Sequence, residues 1–309
     1  MLDTTARSAP VRLHDTVEVA GREAAAREMA ARDVPSSSPL IDLLRLYRVR
    51  QWVHILPLPL ATFDTSVPTA TALLAAARGM ANLFAILAFG FLVNAISDRY
   101  VDRDARKNPL VVPGRNGYKL SLIALPAVSV ALAAFSPWPV QIATVCCLAV
   151  GCLYSVGPRL KTIPVVGTLA NAAWYVPMLY LGMADSSLPA GFSVIATAFT
   201  ALLLQNQLIH ESGDRIEDEA SGIHTTWLAF GPRWTAFLAA GAGAVAIVMT
   251  AASLGAFRYP VGTLFIGAFP LLLAWDGLTA ERAARLRVVH RWCAVLFGAA
   301  LYAAWRDWV

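Results

Sequence analysis

The chain has 309 residues, of which 57% are hydrophobic and only 15% are charged. A mean hydropathy of +0.57 over this length excludes a single soluble domain and indicates a polytopic membrane protein. The net charge of +5 is ordinary for a protein whose basic face meets anionic lipid headgroups, so it gives no reason to expect a nucleic-acid partner.

Residues 1–39 differ in composition from the rest of the chain. They are rich in Ala, Arg, Glu and Ser and lack the apolar core of a signal peptide, which predicts a cytoplasmic and disordered tail. The next stretch, residues 43–52, combines leucines and aromatics with arginines and predicts an amphipathic helix at the membrane interface. Residues 40–309 are expected to form one intramembrane domain.

Apolar runs long enough to cross a membrane recur after residue 50. About 20 helical residues cross a hydrocarbon core of roughly 30 Å. The sequence therefore predicts an all-α fold with about nine transmembrane helices. The predicted spans are 52–67, 71–97, 119–135, 138–156, 163–183, 190–211, 233–255, 259–276 and 287–305.

The Lys and Arg residues between these spans predict the orientation of the chain. With nine spans, nearly all of them fall on one side of the membrane, and only Arg78, Arg258 and Arg306 fall on the other. The positive-inside rule assigns the basic side to the cytoplasm. The sequence thus predicts a protein of the bacterial cytoplasmic membrane.

Two acidic clusters, residues 94–102 and 210–218, end long apolar runs on the predicted cytoplasmic side. Each contains Asp-x-x-x-Asp, and residues four apart on a helix share a face, so each pair of carboxylates can hold a hard divalent cation. Residues 103–107 mix acidic and basic side chains, which suits a metal-bound anion such as a diphosphate better than a bare metal ion. Mg²⁺ is the expected metal. The alternative is that each cluster is a solvated helix end.

In these motifs the chain resembles the UbiA-type intramembrane prenyltransferases. Their first motif, Asn-x-x-x-Asp-x-x-x-Asp, is matched by Asn94, Asp98 and Asp102, and their second, Asp-x-x-x-Asp, is matched by Asp214 and Asp218. Three further positions resemble the family's Tyr and Lys after the fourth helix and its basic segment after the first motif: Tyr154, Lys161 and Lys107. The resemblance covers nearly all of residues 40–305.

The resemblance implies helices around a central cavity and a catalytic site that faces the cytoplasm. It implies Mg²⁺-dependent transfer of a prenyl group from an allylic prenyl diphosphate to an aromatic or lipid-like acceptor, by ionisation and alkylation. The catalytic residues would be Asp98, Asp102, Asp214 and Asp218, which with Asn94 would hold about two Mg²⁺ ions. The substrate would contact Asn94, Lys107, Tyr154, Lys161, Trp174, Tyr175, His210 and Glu211.

Several of these residues have a simpler interpretation. Trp174 and Tyr175 are expected to shield an allylic cation, but aromatic residues in spans also pack helices. His210 is either a base beside the second cluster or a structural histidine.

Departures from the family pattern leave other functions open. Many relatives carry Asp directly after the first Asn, where this chain has Ala95, and Glu211 stands where some relatives have Asp. A terpene cyclase, a polyprenyl-phosphate phosphoribosyltransferase and a non-enzymatic carrier are the alternatives. The acceptor and the prenyl chain length are not predicted.

Overall fold

The computed structural model describes residues 38–63, 66–100, 102, 108–112, 117–188, 191–254, 266–267 and 279–308. Within these ranges the chain forms nine α-helices and no strand, as the all-α prediction expects. The helices are α1 (Pro39–Leu46), α2 (Val49–Trp52), α3 (Thr69–Asp98), α4 (Lys119–Ala134), α5 (Trp138–Ser155), α6 (Val166–Tyr175), α7 (Phe192–Ala220), α8 (Thr226–Leu254) and α9 (Ala280–Trp308). Short 3₁₀ helices span Val53–Ile55, Leu58–Thr62, Pro109–Val111, Leu160–Thr162 and Val176–Gly182.

Four of these helices, α3, α5, α7 and α8, are long and apolar enough to cross a membrane, and α4 is a shorter apolar helix. The chain is therefore an all-α polytopic membrane protein. The number of spans stays a prediction, since residues 259–276 lie outside the described residues except for 266–267. The predicted tail likewise lies outside them, apart from its last two residues.

Two predicted spans are not continuous α-helices. In the first, 52–67, α2 ends at Trp52 and two 3₁₀ helices follow, because Pro57 and Pro59 remove backbone donors and clash with the preceding turn. In the fifth, 163–183, α6 ends at Tyr175 and the chain continues as a 3₁₀ helix that contains Pro177. Helix α8 is also kinked, since Gly231 has a φ of 74° and precedes Pro232.

The predicted interfacial helix at 43–52 is split into α1 and α2. Ser38 caps α1 by accepting a hydrogen bond from the Ile41 N–H at 3.4 Å. The break between the two helices falls at Arg48, whose φ of 50° lies in the left-handed region. This turn directs the Arg48 side chain toward the acidic end of α3.

The bundle has two parts joined through α6. Helix α3 packs against α4, α5 and the segment Val176–Gly182, while α7 packs against α8 and α9. Helix α6 contacts both α5 and α7. The main apolar core includes Trp52, Leu83, Leu87, Trp174 and Met178, and it lies along α3 below the acidic end. The C-terminal ends of α3 and α7 carry the two acidic clusters.

Candidate functional site

The first acidic cluster is organised by Lys161. Its ammonium lies 2.5 and 2.7 Å from the two carboxylate oxygens of Asp98 and 3.0 Å from Oδ1 of Asn94. The 3₁₀ helix Leu160–Thr162, in the connection between α5 and α6, brings Lys161 to the end of α3. Burial lowers the pKa of Lys161, and the negative charge of Asp98 opposes this effect. The Ser155 hydroxyl also donates to Oδ1 of Asn94, at 3.0 Å.

Asp102 extends the cluster by one helical turn. Its N–H donates to the Asp98 carbonyl at 2.8 Å, and its carboxylate accepts a hydrogen bond from Nδ2 of Asn108 at 3.0 Å. Asn108 is fully buried, and the same Nδ2 donates to the Ala95 carbonyl at 2.8 Å. The Arg48 guanidinium lies 3.8 Å from the Asp102 carboxylate. Neither Asn108 nor Arg48 was predicted from the sequence to belong to the site.

The second cluster holds Asp214 between two basic side chains. Nδ1 of His210 lies 2.9 Å from one carboxylate oxygen, and Nη1 of Arg287 lies 3.4 Å from the other. Arg287 comes from α9, so this helix contributes to the site. Asp218 lies one turn beyond Asp214 on the same face of α7, half-buried and within electrostatic range of Tyr154.

Glu211 is placed differently from its acidic neighbours. One carboxylate oxygen accepts hydrogen bonds from the Thr168 hydroxyl at 2.7 Å and from Gln207 at 3.3 Å, and the other accepts from the Trp227 N–H at 3.1 Å. The Thr168 hydroxyl is also 2.6 Å from that of Thr226. Glu211 is thus a buried carboxylate with protein donors that links α6, α7 and α8. Its contact with substrate stays a prediction.

Three aromatic residues lie below the clusters. The rings of Trp174 and Tyr175 are 4.9 Å apart, and Trp174 meets Phe91 edge to face at 5.8 Å. Trp174 is only 6% exposed, and its indole fills the space left by Gly90 and Gly151, where α3 and α5 approach each other. Trp174 therefore packs helices in this structure, and its role toward an allylic cation stays a prediction.

Tyr154 lies near the second acidic cluster. It is half-buried, makes a side-chain hydrogen bond with Asn171, and is within electrostatic range of Glu211 and Asp218. Tyr175 in turn lies within electrostatic range of Arg287. Both tyrosines therefore lie near charged side chains of the second cluster.

Arg48 lies near both acidic clusters. It lies within electrostatic range of Lys161, at the first cluster, and of Arg287, at the second. The structure thus brings both clusters to one end of the bundle. In the sequence, Arg48 and Arg287 are two of the many basic residues on the predicted cytoplasmic side, and no sequence pattern separates them from the others. Lys107 lies outside the described residues.

The arrangement is not a preformed metal cage. Within the described part of the chain, no group of three or more His, Cys, Asp and Glu side chains is placed to hold a metal ion. Instead, carboxylates and cations alternate: Asp98 faces Lys161, Asp102 faces Arg48, and Asp214 faces Arg287. Such a surface suits a ligand that carries both positive and negative charge, namely a metal-bound anion.

Comparison with known proteins identifies relatives. The profile of the UbiA prenyltransferase family matches residues 58–305. A UbiA homologue from Archaeoglobus fulgidus, solved bound to GPP and Mg²⁺, is 24% identical, with a TM-score of 0.62 over 85% of this chain and 99% of that chain.

Two further solved structures are similar. Digeranylgeranylglyceryl phosphate synthase is 14% identical, with a TM-score of 0.67 over 86% of this chain and 98% of that one. An apo UbiA homologue from Aeropyrum pernix K1 is 19% identical, with a TM-score of 0.59 over 83% and 98% of the two chains. At these identities the likeness shows a shared fold. No curated protein matches the chain.

Proposed function

Since the chain belongs to the UbiA prenyltransferase family, we propose that it transfers a prenyl group from an allylic prenyl diphosphate to an aromatic or lipid-like acceptor, with Mg²⁺ as cofactor. The observation that carries this proposal is the meeting of two Asp-x-x-x-Asp pairs at one end of the bundle, with Lys161, Arg48 and Arg287 between them. A membrane-embedded site of this composition matches a substrate with a diphosphate head and an apolar tail.

The residues present fit Mg²⁺. This ion binds through one or two carboxylates and keeps water and substrate phosphate oxygens in its shell, so it needs no all-protein cage. Asp98 with Asp102, and Asp214 with Asp218, would supply those carboxylates, and Asn94 a neutral oxygen. Bound there, Mg²⁺ would neutralise the charge that develops on the leaving diphosphate. Homologues from Archaeoglobus fulgidus that bind GPP or DMAPP with Mg²⁺ support this assignment.

The protein's own residues would bind and orient the substrate. Lys161 would donate to diphosphate oxygens, and Tyr154 would add a hydrogen bond near the second cluster. The bond between the allylic carbon and the diphosphate oxygen breaks, and the electron pair leaves with the diphosphate. The acceptor then forms a bond to that carbon and loses a proton. The apolar walls around Trp174 and Tyr175 would keep water from the allylic cation.

Ala95 does not weaken the site. It is 1% exposed and packs with Leu46 and Leu92. An Asp at this position would have to be buried in apolar surroundings. The departure from the family pattern at Ala95 therefore gives no structural support to a cyclase, and we retain the transferase.

The test is diphosphate release by the purified chain in detergent with Mg²⁺ and geranyl, farnesyl or geranylgeranyl diphosphate, with and without a membrane lipid extract. We expect release that requires the extract and that Asp98→Asn lowers by about 100-fold or more, because a carboxylate that would hold Mg²⁺ at the leaving diphosphate is lost. The control is Asp185→Asn, an exposed carboxylate in the loop before α7.

The outcomes separate the candidate functions. Alkylated product from the extract would support the transferase. Release of diphosphate without the extract, giving a hydrocarbon or an alcohol, would contradict the transferase and favour a cyclase. No release with any substrate would contradict both and leave the phosphoribosyl and carrier functions.

A further inference from the structure

Arg287 lies at the second acidic cluster, and the reaction steps described above assign it no role. It lies near the N-terminal end of α9, and its side chain is 17% exposed. Its Nη1 is 3.4 Å from one oxygen of Asp214, whose other oxygen is 2.9 Å from His210. Asp214 is therefore occupied on both oxygens by basic side chains of the protein. A cation that binds Asp214 must compete with Arg287.

Arg287 also lies among other cations. Arg48 and Arg291 are both within electrostatic range of it, and so is the Asp214 carboxylate. Among the described residues, Nε of Arg48 is buried without a hydrogen-bond partner, and its guanidinium is 3.8 Å from Asp102. Like charges in a partly buried space repel each other, so this group is stabilised by a ligand that carries several negative charges.

We propose that Arg287 exchanges partners during substrate binding: it neutralises Asp214 in the metal-free protein and, once Mg²⁺ binds Asp214, turns with Arg48 to the diphosphate oxygens. This inference rests on the proposed function, because it assigns a residue to the diphosphate of that reaction. It makes α9 part of the substrate site, and it couples metal binding to diphosphate binding through one side chain.

The exchange has a thermodynamic signature. If Arg287 competes with Mg²⁺ for Asp214, its removal must strengthen the binding of Mg²⁺ alone. If it also binds the diphosphate, its removal must weaken the binding of pyrophosphate in the presence of Mg²⁺. A residue that only holds α9 against α7 would change both affinities in the same direction. The opposite signs therefore distinguish exchange from a structural role.

The experiment is isothermal titration calorimetry of the purified full chain in detergent. Mg²⁺ is titrated alone, and inorganic pyrophosphate is titrated at a fixed saturating Mg²⁺ concentration. The variants are Arg287→Gln, Arg287→Lys and the control Arg285→Gln, an exposed arginine on the same helix that pairs with Glu281. We expect Arg287→Gln to weaken pyrophosphate binding by about 10- to 100-fold and to tighten Mg²⁺ binding several-fold. Arg287→Lys should recover part of both changes, because it keeps the charge but not the fork of donors.

Each result decides the question. Equal affinities for Arg287→Gln and Arg285→Gln would overturn the inference. A loss of both affinities in Arg287→Gln, together with a lower melting temperature, would also overturn the inference, because it would indicate a structural role. If charge alone maintains the fold, Arg287→Lys would then behave as the original protein. Failure of the unsubstituted protein to bind pyrophosphate with Mg²⁺ would contradict the proposed function itself, and the two failures are thereby distinguishable.

Discussion

Lys161 is the side chain on which the first acidic cluster depends. Its ammonium donates to both oxygens of Asp98 and to Asn94, and it lies in the short 3₁₀ helix Leu160–Thr162 between α5 and α6. The ion pair places a positive charge against the Asp98 carboxylate in the structure without a metal. When a metal-bound diphosphate enters, the same ammonium is placed to donate to its oxygens.

We predict that Lys161→Gln lowers kcat/KM for Mg²⁺-dependent diphosphate release by about 10- to 100-fold, the effect of losing a hydrogen bond from a charged donor. The measurement is the initial rate at limiting prenyl diphosphate. Lys119→Gln is the matched control, because Lys119 is an exposed lysine at the start of α4. A Lys161→Gln rate within threefold of the control would show that Lys161 only pairs with Asp98.

Among the elements, α6 is the helix whose position depends on contacts with several other helices. Glu211 on α7 accepts from Thr168 on α6 and from the backbone of Trp227 on α8, so the three helices share one buried carboxylate. Below it, Trp174 of α6 fits between α3 and α5 because Gly90 and Gly151 carry no side chains. The position of α6 sets the distance between the two acidic clusters.

We predict that Gly90→Ala destabilises the protein by about 1–3 kcal/mol, because the added Cβ would lie 2.3 Å from the Trp174 ring and force a shift of helix or indole. The measurement is the midpoint of thermal unfolding in detergent. Gly241→Ala on α8 is the control, since among the described residues no atom outside its own stretch of helix lies within 4 Å of the added Cβ, and Ala has the higher helix propensity.

The double substitution Gly90→Ala with Trp174→Phe tests the mechanism. The smaller ring should recover part of the lost stability, as expected for two residues in contact. A Gly90→Ala midpoint equal to that of Gly241→Ala would mean that the indole moves without cost and that α6 is not fixed by this contact.

At the scale of the whole molecule, the all-α fold was predicted from the sequence, whereas the number of membrane spans stays a prediction. Apolar runs and carboxylates four residues apart are local patterns, and α3 and α7 begin and end within a few residues of their predicted bounds, apart from the longer end of α7. The break in the first predicted span was harder to predict from the sequence, because its prolines lie inside an otherwise apolar run.

The cationic part of the site depends on tertiary contacts. Arg48 reaches Asp102 through a left-handed turn, and Arg287 reaches Asp214 across 73 residues of sequence. A single sequence shows them as two basic residues among many on the cytoplasmic side. The contacts of Asn108 were equally hard to predict from the sequence, since an Asn before a proline normally marks only a turn.

The orientation of the bundle is the remaining prediction at this scale. Helix α7 is about 43 Å long and joins the loop containing Ser187 to the acidic end at Glu219. The two exposed residues therefore lie at opposite ends of one span. Because the basic residues gather at the acidic end, we predict that Glu219 faces the cytoplasm and Ser187 the outside.

The measurement is labelling of intact cells with a membrane-impermeant maleimide. Ser187→Cys and Glu219→Cys are placed separately in a chain whose four cysteines, Cys146, Cys147, Cys152 and Cys293, are replaced. Ser187→Cys should react in intact cells and Glu219→Cys only after permeabilisation, which also serves as the control that both positions are reactive. The reverse pattern would place the acidic end outside the cell. A prenyl diphosphate made in the cytoplasm would then not reach Asp98 and Asp214 without crossing the membrane, so the labelling result also bears on how the proposed substrate gains access to the site.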